Sequence, residues 1–162
     1  MKVVPEARLV AVTALTLPAF VAGHAIRTTN AVEGSDSGLI PGLWTHVVTD
    51  ERLLGLPGRA DDRLYAVLFD YESDENGAYT QVVGIGINDP AALPSGVAVV
   101  SPGVDERVEF QVRGQMPAAL IESWGEVWRR SANGTLVRTF AVDIEVHQPD
   151  GSVALLIAGQ SA

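Results

Sequence analysis

Cysteine is absent from the 162 residues, which removes disulfide frameworks, thiolate zinc centres and cysteine nucleophiles together. Histidine is nearly as scarce: His24, His46 and His147 are the only three, and no two stand closer than 22 positions. No pair therefore has the helical or hairpin spacing of zinc sites and metalloproteases, and neither a metal nor a cofactor is expected. Positive charge is also short. Eleven basic against twenty acidic side chains leave a formal charge of −9, a field that repels phosphate backbones and favours cations, so direct nucleic-acid binding is not expected. At 47% hydrophobic residues the chain reads as an ordinary globular one, neither disordered nor membrane-spanning.

What is present is one domain's worth of chain, able to bury about 70% of its unfolded surface in a single core. Residues 1–25 pose the first choice. Lys2, the apolar stretch from Leu9 to Ala22 and the small residues Gly23 and Ala25 have the outline of a secretory signal. Glu6, Arg8, Pro18 and the polar continuation Arg27-Thr28-Thr29-Asn30 suit a strand ending in a loop better. A strand over Leu17 to Thr29 is expected, with 1–16 as an N-terminal extension or the start of that strand, and a cytoplasmic location.

The chain is written twice. Asp70-Tyr71-Glu72 recurs 73 positions on (143 minus 70) as Asp143-Ile144-Glu145, each within a strand-turn-strand pattern. Leu64 to Tyr71 and Tyr79 to Ile87 flank the turn Asp74-Glu75-Asn76-Gly77, and Arg138 to Val146 and Val153 to Ala158 flank Pro149-Asp150-Gly151. A helical pattern precedes each hairpin, Leu39 to Arg52 and Pro117 to Arg130, and a strand precedes each helix, Phe20 to Thr29 and Arg107 to Arg113. Val97 to Val100 bridges the halves. The expected fold is α+β: two β-α-β-β units, about 17–88 and about 105–158 within one domain of 17–160, forming one curved, mostly antiparallel sheet with two helices on one face. The seam between the helices is the natural concave site.

Several motifs fail on inspection. Gly84-Ile85-Gly86 begins a dinucleotide fingerprint, but Asp89 stands at the third glycine and no helix opens there. Glu72, Asp74, Asn76 and Gly77 begin a calcium loop whose twelfth position is Val83. No serine sits in a nucleophile elbow, and no catalytic residue is nominated. The tryptophans are more informative: Trp44 belongs to the first helix, Trp124 and Trp128 to the second, one turn apart. Strand alternation sets Phe140, Val142, Ile144 and Val146 on one face and Asp143, Glu145 and His147 on the other, which alone directs the acids to solvent.

The strings IPGLW (Ile40 to Trp44), LFDYESDENGAYTQVVGIGI (Leu68 to Ile87), GQMPAALIESWGEVW (Gly114 to Trp128) and RTFAVDIEVH (Arg138 to His147), in that order, resemble the gyrase-inhibitor-like (GyrI-like) small-molecule-binding domain. That domain is the effector-binding part of many AraC- and MerR-type regulators and also occurs free, including among integron cassette proteins. The resemblance implies a cleft for lipophilic, often cationic small molecules over an acid corresponding to Glu145, with the hairpin twisted to turn that acid inward. It implies aromatic walls at Trp44, Trp124 and Trp128, with Tyr65, Phe69, Tyr71 and Phe110 as further contributors. The string DIE departs from the family, which more usually has an aromatic in the middle and a tyrosine in place of His147. A binding module is the reading preferred; a hydrolase using Glu145, or a topoisomerase-inhibitor-like interaction module, is the alternative. No room exists before Phe20 for the two helix-turn-helix units of an AraC-type regulator, so DNA binding implies a partner protein. A homodimer is left open.

Overall fold

The computed structural model describes residues 15–91 and 93–162. Strand β1 (Phe20–Thr28) leads through a short α1 (Asn30–Glu33) to helix α2 (Ile40–Val48) and a single turn α3 (Glu51–Leu54). The hairpin β2 (Arg59–Phe69) and β3 (Tyr79–Ile87) closes the first half. After β4 (Ala98–Val100) the plan repeats as β5 (Arg107–Val112), α4 (Ala118–Ala132), a short β6 (Leu136–Arg138), and the hairpin β7 (Asp143–His147) and β8 (Val153–Ser161). The sheet order is β4-β1-β3-β2-β7-β8-β5, with β6 beside β8. Within each half the strand before the helix lies toward the outside and the first strand of the hairpin lies at the centre, so β2 and β7 meet antiparallel about an approximate two-fold axis.

The helices cover one face. Under α2 lie Ala22, Ala66, Leu68, Val83 and Ile85; under α4 lie Val108, Phe110, Leu155 and Ile157. The reverse face is buried as well, by Val21, Tyr65, Val67, Ile144, Val146 and Leu156 with Leu15 and Leu17 packed against them. Alternating residues of the central strands are thus apolar on both sides, which is why β3 reads as a nearly continuous apolar run. Gly84, the start of the abortive dinucleotide motif, sits opposite Gly23 in the β1–β3 pair. A Cβ there would lie 1.9 Å from the Ala22 carbonyl oxygen, so the strands approach where no side chain fits.

Three expected elements change, each for a local reason. The helix expected over Leu39 to Arg52 divides, because the Asp50 side chain accepts from the Leu53 N–H and caps a new turn. Strand β2 stops at Phe69, since Asp70 takes a positive φ of 54°. The strand expected over Arg138 to Val146 is interrupted by Phe140, also at φ 54°, and becomes β6 and β7. Asp70-Tyr71-Glu72 and Asp143-Ile144-Glu145 are therefore not equivalent: the first lies beyond the end of β2, the second opens β7. Residues 1–14, where most of the signal-or-strand choice falls, lie outside the described residues; 20–28 form β1.

Candidate functional site

Glu145 lies beside the two-fold axis. Its row crosses the sheet on the helix face as Phe110, Leu155, Glu145, Ala66, Val83 and His24. The small side chain of Ala66 leaves room above the sheet, and the carboxylate occupies the seam between the two helix-covered clusters. The residue is 5% exposed. Alternation already directs it toward the helices, so the supposed twist of the hairpin is unnecessary. What alternation could not reveal is that the side it assigned to solvent carries the helix layer.

Both carboxylate oxygens are engaged. Oε2 accepts from the Trp124 indole N–H at 2.8 Å, and Oε1 lies 2.9 Å from His147 Nε2. The His147 ring meets Trp44 of α2 at 4.5 Å between centroids, tilted by 58°. One residue from each helix thus reaches the acid, Trp124 directly and Trp44 through His147. Trp124 packs against both apolar clusters, which places it in the seam. Tyr79 closes one end: its phenol is pushed up to about 12, first by burial and then by the charges of Glu33 and Glu145.

A second acid, Asp143, has another role. It is fully buried, accepts from Tyr71 Oη at 2.5 Å and the Ala158 N–H at 2.8 Å, and pairs with Arg138 at 2.8 Å. The Arg138 guanidinium lies 4.3 Å from the Phe140 ring centre. Burial, then the Asp143 charge, hold the Tyr71 phenol well above its ordinary range. This network fixes the entry of β7 and so aims Glu145. In the adjacent row Gln81 is buried on the helix face, its Oε1 without a hydrogen-bond partner among the described residues.

The structure brings Trp44, Trp124 and Glu145 together and sets Tyr71 beside them through Asp143. It does not bring in the others. Tyr65 and Phe69 face the reverse side of the sheet, where Tyr65 Oη donates to Asp61 at 2.6 Å, because odd positions of β2 point away from the helices. Phe110 lies two strands from Glu145 beneath α4, with Arg130 5.7 Å from its ring centre. Trp128 packs on the second-half core with Met116 and Leu120. His147 and Tyr79 join the site without having been nominated; the signal for His147 was its place two residues after Glu145 on one strand face.

A duplicated strand-helix-hairpin domain with an acid and two indoles in the seam is the build of an effector-binding domain. The family model for Cass2, the integron-associated effector binding protein, matches residues 16–158, and the chain belongs to that family. It is 29% identical over 144 residues to YobU of Bacillus subtilis (strain 168), named as a candidate transcriptional regulator, covering 88% of each chain. Among solved structures it resembles an integron cassette protein from the mobile metagenome of Vibrio cholerae at TM-score 0.72 and 27% identity, covering 90% of this chain and 92% of that one. It shares its fold with SAV2435, solved bound to tetraphenylphosphonium, at TM-score 0.70 and 14% identity, covering 96% and 94%. No helix among the described residues is long and apolar enough to cross a membrane.

Proposed function

We propose that the seam binds a lipophilic organic cation, with Glu145 as counter-charge and Trp44 and Trp124 as walls, and that the protein acts as a sensor or sequestering protein for such compounds. The observation that carries this is a carboxylate buried to 5% exposure whose partners are an indole N–H and an imidazole. Among the described residues no lysine or arginine reaches this carboxylate, and an incoming organic cation would supply the counter-charge that a buried acid calls for. Each aromatic face adds ~0.5–2 kcal/mol to holding it, and the ligand's apolar body adds roughly 25 cal/mol per Å² buried. The ligand seen on SAV2435 makes tetraphenylphosphonium a suitable probe. A regulatory output would run through a DNA-binding partner chain.

The test is Glu145→Gln, which keeps the shape and removes the charge. Calorimetry with tetraphenylphosphonium should show a loss of ~1–3 kcal/mol, about ten- to a hundredfold in affinity. Triphenylphosphine oxide, a neutral aromatic probe, should bind both proteins alike. Equal losses for both probes would mean that Glu145 acts through structure, and no loss for either would end the proposal.

A further inference from the structure

The fold joins two histidines that the sequence keeps 22 positions apart. His24 of β1 and His46 of α2 stack with ring centroids 3.7 Å apart and planes 7° from parallel. His24 Nε2 lies 2.8 Å from Asp50 Oδ2, and a ligand atom from each of the three residues lies within 4.8 Å of the other two. We propose that His24, His46 and Asp50 form a binding site for a first-row divalent transition metal of the zinc type, separate from the aromatic seam.

Three features of the chain produce the cluster. Asp50 stands two residues past the end of α2, at the cap of α3, where the chain leaves the helix and its carboxylate meets His24. Strand β4 pairs with Val21, Ala22 and Gly23 alone, so among the described residues β1 is an open edge at His24 and α2 lies over it. The two-residue step from Trp44 to His46 turns a helix by roughly 200°, which sends Trp44 toward the seam and His46 toward that edge. His24 lies in the same row as Glu145 but three strands away, about 14 Å at ordinary strand spacing.

The donor set has the right chemistry. Two imidazoles and one carboxylate suit zinc and its first-row neighbours, whereas magnesium and calcium prefer all-oxygen sets. Asp50 is pre-oriented: Oδ1 accepts from the Leu53 N–H at 3.2 Å, leaving Oδ2 for the ion, a supporting contact of the kind metal ligands have. The hydrogen bond between Nε2 and Oδ2 holds the place of the metal. The ion takes that position, and the proton that Nε2 carries leaves it.

Access is open, with the His24 and Asp50 side chains 12% and 23% exposed and His46 at the surface. Ligand atoms on a tetrahedral zinc stand roughly 3.3 Å apart and a metal lies in the plane of each imidazole, so parallel rings cannot both bind it. The required movement is a tilt of His46, the member free to swing.

Zinc titrated into the metal-free full chain by calorimetry, and cobalt followed by its visible absorption, test the site. One equivalent should bind, magnesium should not compete, and the melting temperature should rise. His46→Ala changes an exposed residue and should keep the fold, checked by circular dichroism, while weakening zinc binding at least tenfold; His24→Gln should do the same. Absence of stoichiometric binding to the full chain, or unchanged affinity in His46→Ala, overturns the proposal. Glu145→Gln separates this site from the seam, since zinc held at Glu145 and His147 would be lost there and retained in His46→Ala.

Discussion

Glu145 and Asp143 stand two residues apart on one face of β7, yet their surroundings give them different work. Asp143 has an arginine, a phenol and a backbone N–H, and needs nothing more. Glu145 has an indole N–H and an imidazole. The difference was not legible in the sequence, because Arg138 and Tyr71 reach Asp143 only after Phe140 and Asp70 take positive φ and bend their segments inward. Trp124→Phe isolates the indole contribution. It keeps an aromatic ring in the seam but strips the donor from a buried carboxylate, so unfolding in urea should show a lower midpoint with unchanged slope, a stability loss of ~1–3 kcal/mol. Part of that loss should be recovered at saturating tetraphenylphosphonium, since the cation meets the oxygen left bare. A loss identical with and without the cation would mean that the indole serves packing alone.

At the scale of elements, the two helices and two hairpins were readable from periodicity and turn chemistry, and they fall where the pattern puts them. What escaped was the ending of each element. Asp50, Asp70 and Phe140 end or interrupt elements through a cap or an unusual φ, and none of the three disturbs the hydrophobic period around it. Site assignment suffered accordingly. Tyr65 and Phe69 share the strand of Ala66 and Leu68, and the choice between the two faces rests on which one the helices cover. The β1–β3 crossing makes its own prediction. With a Cβ at Gly84 falling 1.9 Å from the Ala22 carbonyl oxygen, Gly84→Ala must push two paired backbones apart, at a cost of ~1–3 kcal/mol or more. Chemical denaturation should show that loss, and a shift below about 0.5 kcal/mol would mean that the strands separate freely.

Across the whole molecule, the two-fold arrangement puts the seam at the junction of β2 and β7 and leaves apolar layers on both sides of the sheet. Burial on this scale affects every tyrosine of the chain. Tyr65 on the reverse face and Tyr79 in the seam are pushed up to about 12, burial being the largest cause in each, and Tyr71 stands well above 10. The sequence holds one lysine, Lys2, and arginine stays charged throughout, so few other side chains titrate between pH 10 and 12. Over that window the folded state keeps phenolic protons that the unfolded chain releases. The native state then binds more protons than the unfolded one, and stability, fully present below pH 10, must fall as pH rises toward 12. Moving one phenol from 10 to about 12 corresponds to on the order of 2 kcal/mol. Tyrosinate absorbance should therefore stay low in the folded protein past pH 10 and then rise cooperatively, together with the loss of circular dichroism. A smooth titration centred near pH 10 with the fold intact would show that the phenols reach solvent and that the layers on either side of the sheet open without unfolding.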